Sequence, residues 1–195
     1  MPEPKLPYDK LKLVRLTQEH DLSGFECEVP ELADYLKEDA LSDLREHYTT
    51  THLVIYYNYI VGYFTLYASD FIILKLPNKS KYDTIPAIQI ARLATHINYK
   101  NRGIGHYMMC QILRIIVECS NSIVYQVITV TAKKSAQSFY TRYGFDILEE
   151  IDEDGEKMAR MYSPTLPILM SLESSQTVDD ILRDVLNHME NSLKL

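Results

Sequence analysis

Two glycines one residue apart, Gly103 and Gly105, stand between a basic loop and a long apolar-periodic run. Because a glycine has no side chain, the backbone at both positions can approach a bulky anion closely. Lys100 and Arg102 place positive charge beside them. If a helix begins here, its unpaired N–H groups and the positive end of its dipole would face the same anion. This combination predicts that the loop binds phosphate.

The familiar nucleotide-binding patterns do not account for the loop. The Rossmann fingerprint requires a third glycine three residues after Gly105, and that position holds Met108. The phosphate loop of NTPases requires Gly-Lys-Ser/Thr, which is absent from the loop. Because Gly-x-Gly alone is weak evidence, the elements around the loop must decide what kind of phosphate site it forms.

The elements next to the loop are a strand and a helix. Residues 87–95, "AIQIARLAT", predict a buried strand, and residues 106–120 predict an amphipathic helix. A second strand and helix follow at 122–132 and 133–144, with Gly144 as the C-terminal cap of the helix. The other predicted elements are a strand at 8–16, a helix at 29–44, a β-hairpin at 51–68 around Asn58, a surface connection at 69–86, and strands at 145–151 and 157–163.

This order of elements predicts the fold class. A hairpin followed by strand, helix, strand, helix and strand is typical of a mixed α/β sheet with parallel crossovers in its second half. The tail after Pro164 differs, because residues 177–195 have a capping box and an apolar face at helical spacing. We expect this amphipathic helix to pack on its own domain rather than on a second subunit or a partner.

Two motifs in this order resemble those of a known family. The segment Lys100-x-x-Gly103-x-Gly105 resembles the Gln/Arg-x-x-Gly-x-Gly/Ala motif of the GCN5-related N-acetyltransferases (GNAT), and "AQSFYTRYGF", residues 136–145, is similar to their Ala-x-x-Phe-Tyr-x-x-x-Gly-Phe. Gly62 also lies in a hairpin strand where the family often has a glycine. The resemblance implies a GNAT domain at 1–163, followed by a C-terminal extension with an amphipathic helix at 164–195.

The resemblance implies an enzyme that binds acetyl-coenzyme A. The N–H groups of the loop would hold the pyrophosphate, and Arg102 would add charge. The pantetheine would pair with a splayed strand edge at 93–95, and an N–H of that strand would stabilise the oxyanion that forms during transfer. Lys133 stands where many members have an asparagine that contacts pantetheine. The implied cofactor-binding residues are Leu93, Ala94, Thr95, Lys100, Asn101, Arg102, Gly103, Ile104, Gly105 and Lys133; no metal site is predicted.

The resemblance also implies a catalytic tyrosine. Tyr140 matches the family residue that protonates the leaving thiolate of coenzyme A, and a phenol is protonated at neutral pH without any shift of its pKa. Most of the 15 tyrosines in the chain are expected to be packing residues. The place of Tyr140 in the motif favours the catalytic role, whereas we expect Phe139 and Phe145 to lie in the core.

A general base is not evident in the sequence. Many family members place a glutamate on or near the strand before the loop, but residues 87–96 contain only Gln89, Arg92 and His96 as candidates. The base could be water, an acid from another segment such as Glu26 or Asp70, or unnecessary for an amine of low pKa. His96 could also serve, although a loop histidine that caps a strand end is the commoner arrangement.

Composition and charge limit the partners. The chain has 195 residues, 46% hydrophobic and 24% charged, with a net charge of −7. Residues 92–145 nevertheless hold seven basic residues against one acid, Glu118. Cys27, Cys110 and Cys119 are an odd number at wide spacing, which indicates reduced thiols and a cytoplasmic protein. No apolar run is long enough to span a membrane, and the first ten residues lack the apolar stretch of a signal peptide.

The acceptor of the acetyl group stays open at this stage. Residues 25–41, "VGYFTL" and "ARLAT" look like a GNAT subgroup that includes toxins that acetylate the α-amine of aminoacyl-tRNA. The acidic composition and the extra helix favour instead a small-molecule or protein amine, with tRNA as the alternative. A non-catalytic protein that binds acyl-CoA is a further alternative, although Tyr140 argues against it. A homodimer is possible, because family members are often dimers.

Overall fold

A computed structural model of the chain describes residues 4–72, 84–120, 122–153 and 155–165. The described residues divide into two compact units, one with residues 4–67 and 90–112, the other with the remainder. The strands are β1 Leu11–Arg15, β2 Thr50–Tyr56, β3 Tyr59–Ile72, β4 Thr84–Thr95, β5 Val127–Lys133, β6 Asp146–Glu153 and β7 Glu156–Pro164. The helices are α1 Pro30–Glu38, α2 Ala40–Arg45, α3 Ile104–Ser120 and α4 Lys134–Thr141.

The strands form one seven-stranded mixed sheet in the order β1-β2-β3-β4-β5-β7-β6. In the first unit β1 pairs with β2, and β2 with β3, both antiparallel. The hairpin turns at Tyr57 and Asn58, and Tyr57 adopts the left-handed conformation with φ 53°. The order of strands and the flanking helices confirm the mixed α/β sheet that the sequence predicts.

The core of the first unit lies between α1, α2 and the strands. Pro30 starts α1, where its missing N–H costs no hydrogen bond. The side chains of Leu36 and Ala40 are fully buried among residues of the sheet such as Leu53 and Tyr63. The Tyr63 hydroxyl donates to the Leu32 carbonyl at 2.6 Å, which fixes α1 on the sheet.

In the second unit β7 pairs antiparallel with both β5 and β6. Gly155 lies in the turn between β6 and β7 with φ 83°. A small core cluster holds Phe71, Ile85 and Val127. The N–H of Gln126 donates to the Pro86 carbonyl at 2.9 Å just before β5 begins.

Several expectations need correction or lie outside the described residues. The strands expected at 8–16 and 122–132 begin only at Leu11 and Val127. The helix expected at 29–44 is two helices, since the chain breaks at Asp39. The expected connection is shorter than predicted, because β3 extends to Ile72 and β4 begins at Thr84. The helix expected at 177–195 lies outside the described residues. Among those described, no helix is long and apolar enough to cross a membrane.

Candidate active site

The glycine loop connects β4 to α3. A 3-10 helix at Ile97–Tyr99 follows β4, and α3 begins at Ile104. Asn101 and Gly103 adopt left-handed conformations with φ 60° and 86°. The N–H of Tyr107 donates to the Gly103 carbonyl at 3.0 Å, so the first turn of α3 starts at this glycine. The earlier N–H groups of that turn therefore have no acceptor within the helix, and they can face an anion.

The two basic side chains of the loop already have partners. Lys100 forms an ion pair with Glu28, and both side chains are about half exposed. The Arg102 Nε–H donates to the Pro4 carbonyl at 3.2 Å, and its guanidinium carbon lies 5.6 Å from the centre of the Tyr99 ring. Exposed ion pairs are weak, so a phosphate could compete with Glu28 for the lysine.

His96 is held by both of its ring nitrogens. Its Nδ1 accepts a hydrogen bond from the Asn98 N–H at 3.1 Å, so its Nε2 carries the proton and donates to the Gly24 carbonyl at 3.2 Å. The ring also meets Phe25 and Tyr99 edge-on. Because both nitrogens are engaged, the geometry supports a histidine that caps the end of β4 rather than a base.

Residues 93–95 are the end of β4, just before the glycine loop. Ala94 is buried, whereas Leu93 and Thr95 are half-buried. The neighbouring hairpin strand approaches closely at Gly62, where an added Cβ would lie 3.1 Å from the Ala94 carbonyl oxygen and 2.9 Å from Ile104. Gly62 thus permits close packing of β3 on the end of β4 and the start of α3.

Tyr140 lies near the C-terminal end of α4 and is only 6% exposed. Its ring packs edge-on against Phe139 and Phe145, with centres 5.2 and 5.7 Å away. Phe145 is buried as expected, but Phe139 is only partly buried. Burial raises the pKa of Tyr140 well above its usual value, so the hydroxyl stays protonated. Gly144, with φ 76°, ends the helix as a left-handed cap.

Lys133 ends β5 one residue before α4. Its Nζ pairs with Glu156 of β7 at 2.8 Å. The predicted site residues therefore fall into two groups: 93–95 and 100–105 lie together in the first unit, and Lys133 and Tyr140 lie in the second. Glu26 and Asp70, the two acids named as possible bases, are both exposed.

The family comparison agrees with the fold and the motifs. The family model described as the acetyltransferase (GNAT) domain matches residues 20–162. The match includes both motifs and begins after β1. The chain therefore belongs to the GNAT acetyltransferase family. It is an acetyl-CoA-dependent N-acetyltransferase.

The chain is similar to several named proteins. A tRNA-acetylating toxin of Mycobacterium tuberculosis is 25% identical over 137 residues, which are 68% of this chain and 82% of the relative. A tyrosine-to-phenylalanine variant of KacT has a similar fold, with a TM-score of 0.73 at 22% identity over 84% of this chain and 99% of that chain. AtaT complexed with acetyl-methionyl-tRNAfMet has a TM-score of 0.70 at 24% identity over 82% and 98%.

Proposed function

We propose that the protein acetylates the α-amine of aminoacyl-tRNA. The observation that carries this proposal is the similarity to the tRNA-acetylating toxin, which extends over most of both chains. The sequence alone placed a small-molecule or protein amine ahead of tRNA. We reverse that order, because the similarity to a tRNA-acetylating toxin outweighs the acidic composition of this chain.

The chemistry of the acceptor fits the lack of an obvious base. An α-amine has a pKa of about 8, so roughly a tenth of it is unprotonated at pH 7, whereas far less of a lysine amine with a pKa near 10.4 is. Both ring nitrogens of His96 are engaged in hydrogen bonds, and Glu26 is exposed. An acceptor that needs little help to lose its proton is consistent with such a site.

The charge distribution supports an RNA substrate. Residues 92–145 carry a net charge of +6 within a chain of −7. Lys100, Arg114 and Lys133 have carboxylate partners, but each of these pairs is at least partly exposed. Since exposed ion pairs contribute about 0–1 kcal/mol, phosphates of an RNA backbone could replace these carboxylates.

The residues of the chain divide the catalytic work in this proposal. Acetyl-CoA supplies the thioester whose carbonyl carbon the amine attacks. The N–H groups of 103–105 hold its pyrophosphate, a role that the glycine at Gly103 and the open first turn of α3 fit. The backbone of 93–95 binds the pantetheine. The amine releases one proton to water as the C–N bond forms and the C–S bond breaks, and the Tyr140 hydroxyl gives its proton to the departing thiolate and then regains one from solvent.

The test is a transfer assay with defined acceptors. Radiolabelled acetyl-CoA is incubated with the protein and a panel of charged tRNAs, with the same tRNAs uncharged, and with the free amino acids. We expect label in one or more charged tRNAs only, and we expect the label to be released by mild base as the N-acetylated amino acid. Transfer to free amino acids or peptides at equal rates would contradict the tRNA acceptor and leave the family assignment in place.

A growth experiment tests the consequence in cells. Acetylated aminoacyl-tRNA cannot accept a peptide through its blocked amine, so induced expression should arrest growth. Expression of Tyr140→Phe at the same level should not. Normal growth with the active wild-type protein would argue strongly against a toxin.

A further inference from the structure

The segment before β1 contacts the glycine loop. The Leu6 N–H donates to the Arg102 carbonyl at 3.0 Å, and the Arg102 Nε–H donates back to the Pro4 carbonyl at 3.2 Å. The Leu6 side chain is only 3% exposed. Residues 4–8 are thus fixed along the loop by backbone bonds and by a buried anchor.

Tyr8 reaches the glycine at which α3 begins. Its hydroxyl donates to the Gly103 carbonyl at 3.3 Å, and its ring stacks on His106 with centres 6.1 Å apart. The ring centre of Tyr107 lies 5.7 Å from that of Tyr8. A Cβ added to Gly103 would lie 3.0 Å from the Tyr8 hydroxyl oxygen. A side chain at position 103 is thus disfavoured both by the positive φ and by close contact with Tyr8.

These contacts act on a part of the loop with unusual backbone conformations. Asn101 and Gly103 both have positive φ, which glycine adopts readily but which costs free energy at Asn101. The Gly103 carbonyl accepts hydrogen bonds from Tyr8 and from Tyr107 together. Its orientation sets the direction of the N–H groups that follow. A loop that is already ordered loses little conformational entropy when an anion binds, so its affinity for the anion is higher.

We propose that residues 4–8 brace the pyrophosphate loop and that Tyr8 is a positioning residue for acetyl-CoA. The proposal rests on the proposed role of residues 103–105. The brace precedes residues 20–162, which match the family model. Tyr8 does not touch the cofactor in this proposal. It acts through Gly103.

The experiment compares coenzyme A with a ligand that lacks the pyrophosphate and everything beyond it. Calorimetry gives the Kd of coenzyme A and of pantetheine, which lacks the nucleotide and both of its bridging phosphates, for wild type, Tyr8→Phe, Tyr8→Ala and the control Tyr57→Ala. Tyr57 is an exposed tyrosine of the hairpin turn. Each variant is measured below its own melting temperature, so that only folded protein is compared.

We expect Tyr8→Ala to weaken coenzyme A binding about 3- to 10-fold and Tyr8→Phe about 2- to 3-fold, in line with loss of a hydrogen bond. Pantetheine binding and the Tyr57→Ala variant should not change. An equal loss for both ligands would mean that Tyr8 does not act through the pyrophosphate loop, and it would overturn the proposal. No loss, or tighter binding of coenzyme A, would also overturn the brace.

The design separates this inference from the proposals on which it rests. If wild type binds coenzyme A no more tightly than pantetheine, the loop does not hold the pyrophosphate, and the brace fails with it. The measurement uses no acceptor. If the tRNA assay fails, a selective loss of coenzyme A affinity in Tyr8→Ala is still evidence for the brace.

Discussion

The guanidinium carbon of Arg92 lies 3.3 Å from the centre of the Tyr35 ring. This contact joins β4, one residue before the segment proposed to bind pantetheine, to α1. Tyr35 is 5% exposed, and its hydroxyl donates to Asp43 at 2.9 Å and lies 3.1 Å from the Thr49 hydroxyl. The ring that faces the cation is therefore fixed at its far end. This arrangement favours a strong cation–π contact, because little freedom remains to be lost.

We predict that Arg92→Met lowers the free energy of unfolding by about 0.5–2 kcal/mol, the range of such contacts. Urea unfolding of Arg92→Met, Tyr35→Leu and the double variant forms a double-mutant cycle that isolates the pair from the other bonds of Tyr35. The exposed Arg142, replaced by Met, is the control for loss of a charge. Additive effects in the cycle would show that the contact contributes nothing.

Gly62 provides a sharper test of close packing. A Cβ at this position would lie 2.9 Å from Ile104 Cγ2 and 3.1 Å from the Ala94 carbonyl oxygen. We predict that Gly62→Ala lowers the free energy of unfolding by about 1–3 kcal/mol, because the carbonyl cannot move without disturbing β4. Gly24 has no atom within 4 Å of such a Cβ. Gly24→Ala should therefore be close to neutral, and equal losses would contradict the packing explanation.

The proposed acid can be tested independently of the acceptor's identity once any amine is found to be acetylated. We predict that Tyr140→Phe lowers kcat by about 10²–10⁴-fold, the usual contribution of general acid catalysis, while coenzyme A binds as before. Because burial raises the pKa of Tyr140, loss of its proton should not lower kcat of the wild type between pH 7 and 10. Tyr57→Phe in the hairpin turn is the control. Full activity in Tyr140→Phe would exclude the role.

The sequence predicted the elements whose signals are local. The hairpin break at Asn58, the loop before α3 and the cap at Gly144 all depend on residues next to each other in the chain. The break at Asp39 was missed because the apolar spacing of residues 29–44 continues across it. A short change of backbone direction leaves the pattern of apolar residues almost unchanged.

The contacts of the candidate site were less predictable than its motifs. The motif residues Lys100 and Arg102 were recognisable, but their partners Glu28 and Pro4 are 72 and 98 positions away in the chain. Tyr8 had no signal of its own, since it lies among 15 tyrosines and outside both motifs. Only the folded chain shows which distant segments meet the loop.

His52 should make stability depend on pH in mildly acid solution. Its ring stacks on Phe64 with centres 5.0 Å apart, and its Nδ1 has no hydrogen-bond partner among the described residues. Burial, and then the charge of Arg15, lower its pKa from 6.5 to about 4.

The sign of the pH effect follows from the protonation of His52 in the two states. Between pH 6.5 and 4 the unfolded chain binds a proton at His52 that the folded chain does not. The contribution of His52 to the free energy of unfolding is therefore complete above pH 6.5 and is lost as pH falls toward 4. We predict that it amounts to about 2–3 kcal/mol. Urea unfolding from pH 4.5 to 7.5 gives the free energy of unfolding as a function of pH. This free energy should rise less steeply with pH for His52→Leu than for wild type. The control is His47→Asn, at an exposed left-handed position, which should keep the pH dependence of the wild type. If His52→Leu also kept it, the His52 ring would not be responsible.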